Sequence, residues 1–187
     1  MIDVPSILEA VIEELDEHAV CHMLAGSFAS SIHGAPRATN DVDLVIDPAA
    51  DRFEGLLESL AGRGLYVPFD AARRALSERD QFNVLDTNTG WKVDLIIRKA
   101  RPFSVAEFER RRPVDLGSVI VFVASAEDTI LAKLEWAASS GSVRQQRDVE
   151  EITDALRATL DWRYLDRWAP DLGVEEAVRA LRRRLEG

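Results

Sequence analysis

Apolar positions along the chain change period from element to element, and the changes mark where helices and strands begin. Ile7, Leu8, Val11, Ile12 and Leu15 recur at helical spacing, which predicts an amphipathic helix over Pro5 to His18 with Glu9, Glu13, Glu14, Asp16 and Glu17 turned to water. Ala19 to Ala25 is a short apolar run ending at Gly26-Ser27, the pattern of a buried strand turning into a helix over Phe28 to His33, which Gly34-Ala35-Pro36 stops. Val42 to Ile46 reads as a second strand, and Phe53, Leu56, Leu57 and Leu60 as the buried stripe of the helix after it, which Gly62 and Gly64 end. Phe82 to Leu85 and Trp91 to Ile97 flank the turn-forming Asp86-Thr87-Asn88-Thr89-Gly90, so they are expected to pair as an antiparallel hairpin. A short helix at Val105 to Arg111 and a strand at Val119 to Ala124 follow.

Beyond that point the period is helical. Ser125-Ala126-Glu127-Asp128 has the form of a capping box opening a helix to Ala138. Gly141-Ser142 interrupts, Val149, Ile152 and Leu156 mark another helix, and Ala177, Leu181 and Leu185 a last one. The expected class is α/β (α+β): a mixed-sheet core over residues 1–124 and a helical C-terminal region over 125–187 packed on it.

The 187 residues are 47% apolar and 30% charged, enough to bury a core and unlike a disordered chain. Apolar runs such as Val119 to Ala124 fall far short of the ~18 residues a membrane span needs, so no membrane association is expected. Cys21 is the one cysteine, which excludes an internal disulfide and a cysteine-based zinc cluster. Together these predict a cytoplasmic protein. The net charge of −10 argues against a chain whose main task is to grip long nucleic acid. It is unevenly placed: residues 1–60 carry −10, residues 61–125 carry +3, and the remainder −3. An acidic segment beside a mildly basic one suits a site with metal cations on one wall and polyphosphate on the other.

Candidate chemistry concentrates between Leu24 and Ile46. Asp41 and Asp43 stand two apart in a predicted strand, so the pleat turns both carboxylates to one face. Unpaired acids there repel, and a hard cation with a preference for oxygen ligands resolves the repulsion. Asp94 interrupts the mostly apolar strand Trp91 to Ile97. If that strand neighbours the first, three carboxylates converge, a set able to hold two Mg²⁺ ions ~3.5–4 Å apart for in-line displacement at phosphorus. Gly26-Ser27 at a strand-to-helix turn is either a phosphate cradle, through close backbone approach and free N–H groups, or a plain turn. Arg37 is a phosphate or acceptor clamp, or a partner of one of the acids. Lys133, beside Ile130, Leu134 and Ala137, either reaches toward leaving phosphates or snorkels at the surface.

Taken together, Gly26, Ser27, Asp41, Asp43 and Asp94 resemble the signature of the DNA polymerase beta-like nucleotidyltransferases: Gly-Ser, then Asp-x-Asp, then a third acid on a later strand. The surroundings at Gly34, Arg37 and Thr39 look like the small prokaryotic members, including those found in toxin–antitoxin and abortive-infection systems. The resemblance covers residues 20–100, and extends more weakly through Glu127 to Lys133 and Arg144 to Asp148. It implies that Asp41, Asp43 and Asp94 bind Mg²⁺ (two ions, or Mn²⁺), that Asp94 helps deprotonate an acceptor hydroxyl, and that Gly26-Ser27 holds the phosphates of an NTP such as ATP. The implied activity is transfer of an NMP to a hydroxyl of an RNA, protein or small molecule with release of pyrophosphate.

Two alternatives compete with that expectation. One is a catalytically silent relative that binds nucleotide or a cognate protein partner, as in a toxin–antitoxin pair. The other is a glycosyltransferase holding a nucleotide-sugar metal on Asp41 and Asp43, which explains neither Gly26-Ser27 nor Asp94. His18, Cys21 and His22 match no zinc spacing, and Cys21 is expected in the core. Ser27 lacks a hydrolase elbow. Trp91, Trp136, Trp162 and Trp168 are expected to pack in the core or between helices.

Overall fold

In the computed structural model, which describes residues 5–186, the elements run α1 (Ser6–Glu17), β1 (Cys21–Leu24), α2 (Gly26–Ile32), β2 (Asp41–Asp47), α3 (Ala50–Gly62), α4 (Phe69–Glu78), β3 (Gln81–Leu85), β4 (Lys92–Ile97), α5 (Pro102–Arg110), β5 (Arg112–Asp115), β6 (Ile120–Val123), α6 (Ala126–Ser140), α7 (Val143–Leu156), α8 (Trp162–Leu172) and α9 (Glu175–Glu186). This is an α/β fold with a mixed sheet. The internal contacts divide it into two compact units, one formed by residues 1–25 and 38–123, the other by residues 26–37 and 124–187.

The first unit holds all six strands in the order β3-β4-β2-β1-β6-β5. β1 runs antiparallel to β2 and parallel to β6, β2 runs parallel to β4, and the β3–β4 and β5–β6 pairs are antiparallel. Alternation along β2 buries Val42, Leu44 and Ile46, and on β4 the same face buries Val93, Leu95 and Ile97. Helix α1 brings its stripe Ile7, Leu8, Val11, Ile12 and Leu15 to this core, and α3 brings Phe53, Leu56, Leu57 and Leu60. Phe53 meets Phe82 edge to face at 5.8 Å. Each of these fully buried side chains contributes about 1.5–3 kcal/mol, so the period-2 strand pattern and the 3.6-residue helix pattern converge on one layer. The opposite face of β2 and β4 carries Asp41, Asp43, Lys92 and Asp94.

The second unit is helical. Short α2 packs on α6 and α7, and α8 and α9 pack on each other. Ser125 caps α6 where the sequence predicts the helix to open: its Oγ accepts from Asp128 N at 3.2 Å and donates to Asp128 Oδ2 at 2.6 Å, so the aspartate's return bond goes to the serine hydroxyl, and such a cap is worth about 1 kcal/mol. Tyr164 OH donates to the other oxygen of this fully buried Asp128 at 2.7 Å and ties α8 to α6. Gly34 has φ +108, and a Cβ there would lie 2.5 Å from Ala155 Cβ, so the turn after α2 closes on α7 only with glycine.

Several expectations need correction. Helix α4 has no counterpart in the periodicity because its buried side is made only of Ala72 and Ala75. Strand β5 is a four-residue edge with little burial, and α8, which carries Pro170, buries only Leu165, Trp168 and Ala169. Cys21 is exposed rather than in the core, since it opens a strand whose burial begins one residue later at His22. Glu14 does not face water: it is 4% exposed and accepts from Arg63 Nε at 2.5 Å. Trp136 is 60% exposed rather than packed in a core.

Candidate functional site

Strand pairing sets the acidic face of the first unit. β2 and β4 are parallel neighbours with Asp43 opposite Asp94 and Asp41 opposite Lys92. Because residues two apart on a strand share a face, Asp41, Asp43, Lys92 and Asp94 form two adjacent rows on the face away from the apolar core. The antiparallel β3 extends one row, with Asn83 opposite Asp94. The N-terminal end of β2 is held twice: Thr39 Oγ1 accepts from Asp41 N at 3.2 Å, and Asn40 O accepts from Lys92 N at 3.1 Å. The chain leaving β1 is fastened to the same place, where Ala25 N donates to Asp43 O at 2.9 Å.

The three aspartates differ in solvation. Asp41 is 59% exposed at its side chain, Asp94 only 13%, and Asp43 is intermediate. The Lys92 ammonium stands among them, 3.0 Å from Asp94 Oδ2 and 3.5 Å from Asp41 Oδ1. Burial pulls the Lys92 pKa down, but the hydrogen bond to Asp94 and the charges of Asp94 and Asp41 outweigh it, and the value stands above that of an ordinary lysine. Among the described residues no three acid, histidine or cysteine side chains close around a single point tightly enough to cage an ion as they stand. The donor set nevertheless fits a divalent hard cation: three carboxylates on adjacent strands, one face, and a positive charge already drawn in among them. The aspartates thus share the face the sequence predicts, with a lysine interposed that periodicity did not single out. Lys92 and Asn83 are the functional candidates the sequence reading missed. The signal was the hairpin itself, since pairing Leu85 with Lys92 places Asn83 against Asp94.

The second unit gathers the other candidates. Gly26 takes φ +57 at the start of α2, a left-handed conformation suited to glycine. Ser27 is 6% exposed, and its Oγ accepts from Arg37 Nη2. Arg37 Nε lies 3.5 Å from Asp148 Oδ2, and the same oxygen accepts from Lys133 Nζ at 2.7 Å. Lys133 also donates to Gln145 Oε1 at 2.7 Å. At 5% exposure Lys133 is no snorkelling surface lysine, and Arg37 is the partner of an acid, though of Asp148 on α7 rather than of the β2 aspartates. Ser27, Arg37 and Lys133 therefore form one network centred on Asp148, a 3% exposed carboxylate that holds two cations. The carboxylate hydrogen-bonds the Lys133 ammonium and faces the Arg37 guanidinium as an ion pair, at the cost of its own desolvation. Asp148 was visible in the sequence only as the end of the segment Arg144 to Asp148. His33, whose ring donates to Ala124 O at 2.7 Å, is structural.

No protein-family model matches the sequence, and no curated protein matches it. Solved structures do. The chain is similar to the antibiotic-resistance factor ANT(2″)-Ia in solution, at 15% identity over 97% of this chain and 94% of that one, with a TM-score of 0.56. It is similar to an antigenic nucleotidyltransferase-like protein from Paracoccidioides brasiliensis, at 16% identity over 93% and 92%, TM-score 0.54. A third neighbour is the lincosamide antibiotic adenylyltransferase LnuA, lincomycin-bound, at 12% identity over 81% of this chain and 98% of that one, TM-score 0.52. At these identities the likeness speaks to architecture, and the architecture agrees with what the Gly-Ser, Asp-x-Asp and later-strand aspartate resemble. No helix among the described residues is long and apolar enough to cross a membrane. The chain has the fold of the DNA polymerase beta-like nucleotidyltransferases.

Proposed function

We propose that the protein is a nucleotidyltransferase that moves an NMP from an NTP to a hydroxyl of a small-molecule acceptor and releases pyrophosphate. The observation that carries this reading is the pairing of Asp43 with Asp94, and Asp41 one step along the same face, on a chain with a nucleotidyltransferase fold. Asp41, Asp43 and Asp94 are the residues that hold Mg²⁺, with Mn²⁺ as a substitute. The chemistry such ions supply when bound is stabilisation of charge on the attacking and leaving oxygens. Asp94, the most buried of the three, takes the proton from the acceptor hydroxyl. The acceptor oxygen then forms its bond to the α-phosphorus as the bond from that phosphorus to the pyrophosphate oxygen breaks.

On the second unit, Gly26, Ser27, Arg37 and Lys133 remain the proposed nucleotide-binding residues, with Asp148 as the positioning residue of the two cations. Two considerations favour a small acceptor over RNA. The net charge of −10 weakens any long phosphate interface, and ANT(2″)-Ia is described in complex with adenylyl-2″-tobramycin and LnuA with lincomycin. A second reading, a silent relative that binds nucleotide or a cognate protein, is favoured by one feature, the Lys92 ammonium already paired with Asp41 and Asp94.

The experiment is to incubate the protein and Mg²⁺ with each of the four NTPs labelled at the α-phosphate, in the presence of polyhydroxylated small molecules or of cell extract. The proposal expects label on a small-molecule product with wild type and none with Asp43→Asn. Metal-dependent NTP binding without transfer to any acceptor would favour the silent reading instead.

A further inference from the structure

We propose that Lys92 is a built-in counter-cation of the acidic face, which a divalent ion must displace in order to bind. This rests on the reading of Asp41, Asp43 and Asp94 as metal ligands. The register sets Lys92 directly opposite Asp41 and two residues from Asp94 on one face, and the ammonium reaches both, at 3.5 and 3.0 Å. A protonated amine has donors only and no lone pair for a metal, so Lys92 cannot join a coordination shell. The oxygens it engages, Asp41 Oδ1 and Asp94 Oδ2, belong to two of the three carboxylates a divalent ion needs. The two cations therefore contest the same ligands.

The rest of the face suits such a contest. Lys92 is 30% exposed, so the ammonium has solvent to move into, and its four-carbon stem allows it to swing without moving β4. Without it, three carboxylates on adjacent strands would face one another across side-chain distance, an arrangement of like charges that destabilises a sheet. Lys92 thus stabilises the metal-free protein and sets the affinity for metal lower than three carboxylates alone would give.

The test uses the full chain, stripped with chelator, and titrates MnCl₂ by calorimetry into wild type, Lys92→Met, Lys92→Arg and Asp94→Asn, with thermal melts in chelator alongside. Lys92→Met is expected to bind Mn²⁺ about tenfold more tightly than wild type, to melt lower in chelator, and to gain more in melting temperature from Mn²⁺. Lys92→Arg should stay near wild type in both. Should Lys92→Met not fold, Lys92→Gln serves the same comparison. Equal or weaker Mn²⁺ binding by Lys92→Met, with binding present in wild type and lost in Asp94→Asn, would overturn the role of Lys92 while leaving the metal site standing. Absence of Mn²⁺ binding in wild type and Lys92→Met alike would overturn the metal site itself and the displacement with it.

Discussion

The buried network on Asp148 is the sharpest place to test how the second unit is held. Asp148 Oδ2 accepts from Lys133 Nζ at 2.7 Å, with both side chains 5% exposed, and Arg37 Nε lies 3.5 Å away. Asp148→Asn keeps the shape and removes the charge, leaving two cations without their shared carboxylate. Breaking a buried pair by removing one partner costs about 3–5 kcal/mol, which for a chain of this length lowers the melting temperature by roughly 6–20 °C. Lys133→Met is gentler, because Asp148 keeps Arg37, and should cost about 1–3 kcal/mol, on the order of one hydrogen bond to a charged group. The double variant Lys133→Met/Asp148→Asn removes both charges of the pair and should lose less stability than the sum of the two single losses. Urea unfolding followed by circular dichroism measures all three, and 0.5 M salt should change the Asp148→Asn deficit little, since a buried pair is weakly screened. An Asp148→Asn variant within ~0.5 kcal/mol of wild type, the scatter of an ordinary surface substitution, or strict additivity in the double variant, would refute the network.

Two further outcomes follow from single residues. Gly34→Ala should destabilise by about 2–4 kcal/mol, joining strain at φ +108 to a 2.5 Å approach to Ala155 Cβ, and adding Ala155→Gly should recover part of the loss in urea titrations, whereas no recovery would locate the cost elsewhere. His22 is 3% exposed, and burial, opposed by Asp16, holds its pKa below the ordinary histidine value. The unfolded chain therefore takes up this proton at a higher pH than the folded one, so His22 contributes its full stability above about pH 6.5 and loses it as pH falls below that value. His22→Gln should flatten the slope of unfolding free energy between about pH 5 and 6.5, and an unchanged slope would remove His22 as its source.

Much of this was legible in the sequence because the signals were local. Strand alternation at Val42 to Ile46 placed Asp41 and Asp43 on one face, the turn Asp86 to Gly90 announced the β3–β4 hairpin, and Ser125 announced the start of α6. What escaped was set by long-range pairing. Lys92 reads as an ordinary strand-end lysine until β4 lies in register with β2 and brings it opposite Asp41. Asp148 reads as one more charge on a polar helix until Lys133, fifteen positions earlier, is found hydrogen-bonded to it. Helix α4 was hidden because alanines rather than leucines form its buried side. Glu14 looked solvated because nothing near it in sequence shows the arrival of Arg63.

The measurement closest to the central claim is the amount of pyrophosphate released per NTP consumed, in the presence of Mg²⁺ and an acceptor, by wild type and by Asp43→Asn and Asp94→Asn. The account predicts one pyrophosphate per nucleotide transferred by wild type and none above background by either variant with its fold intact. Release of orthophosphate or of a nucleoside diphosphate, or turnover undiminished in Asp43→Asn, would contradict it.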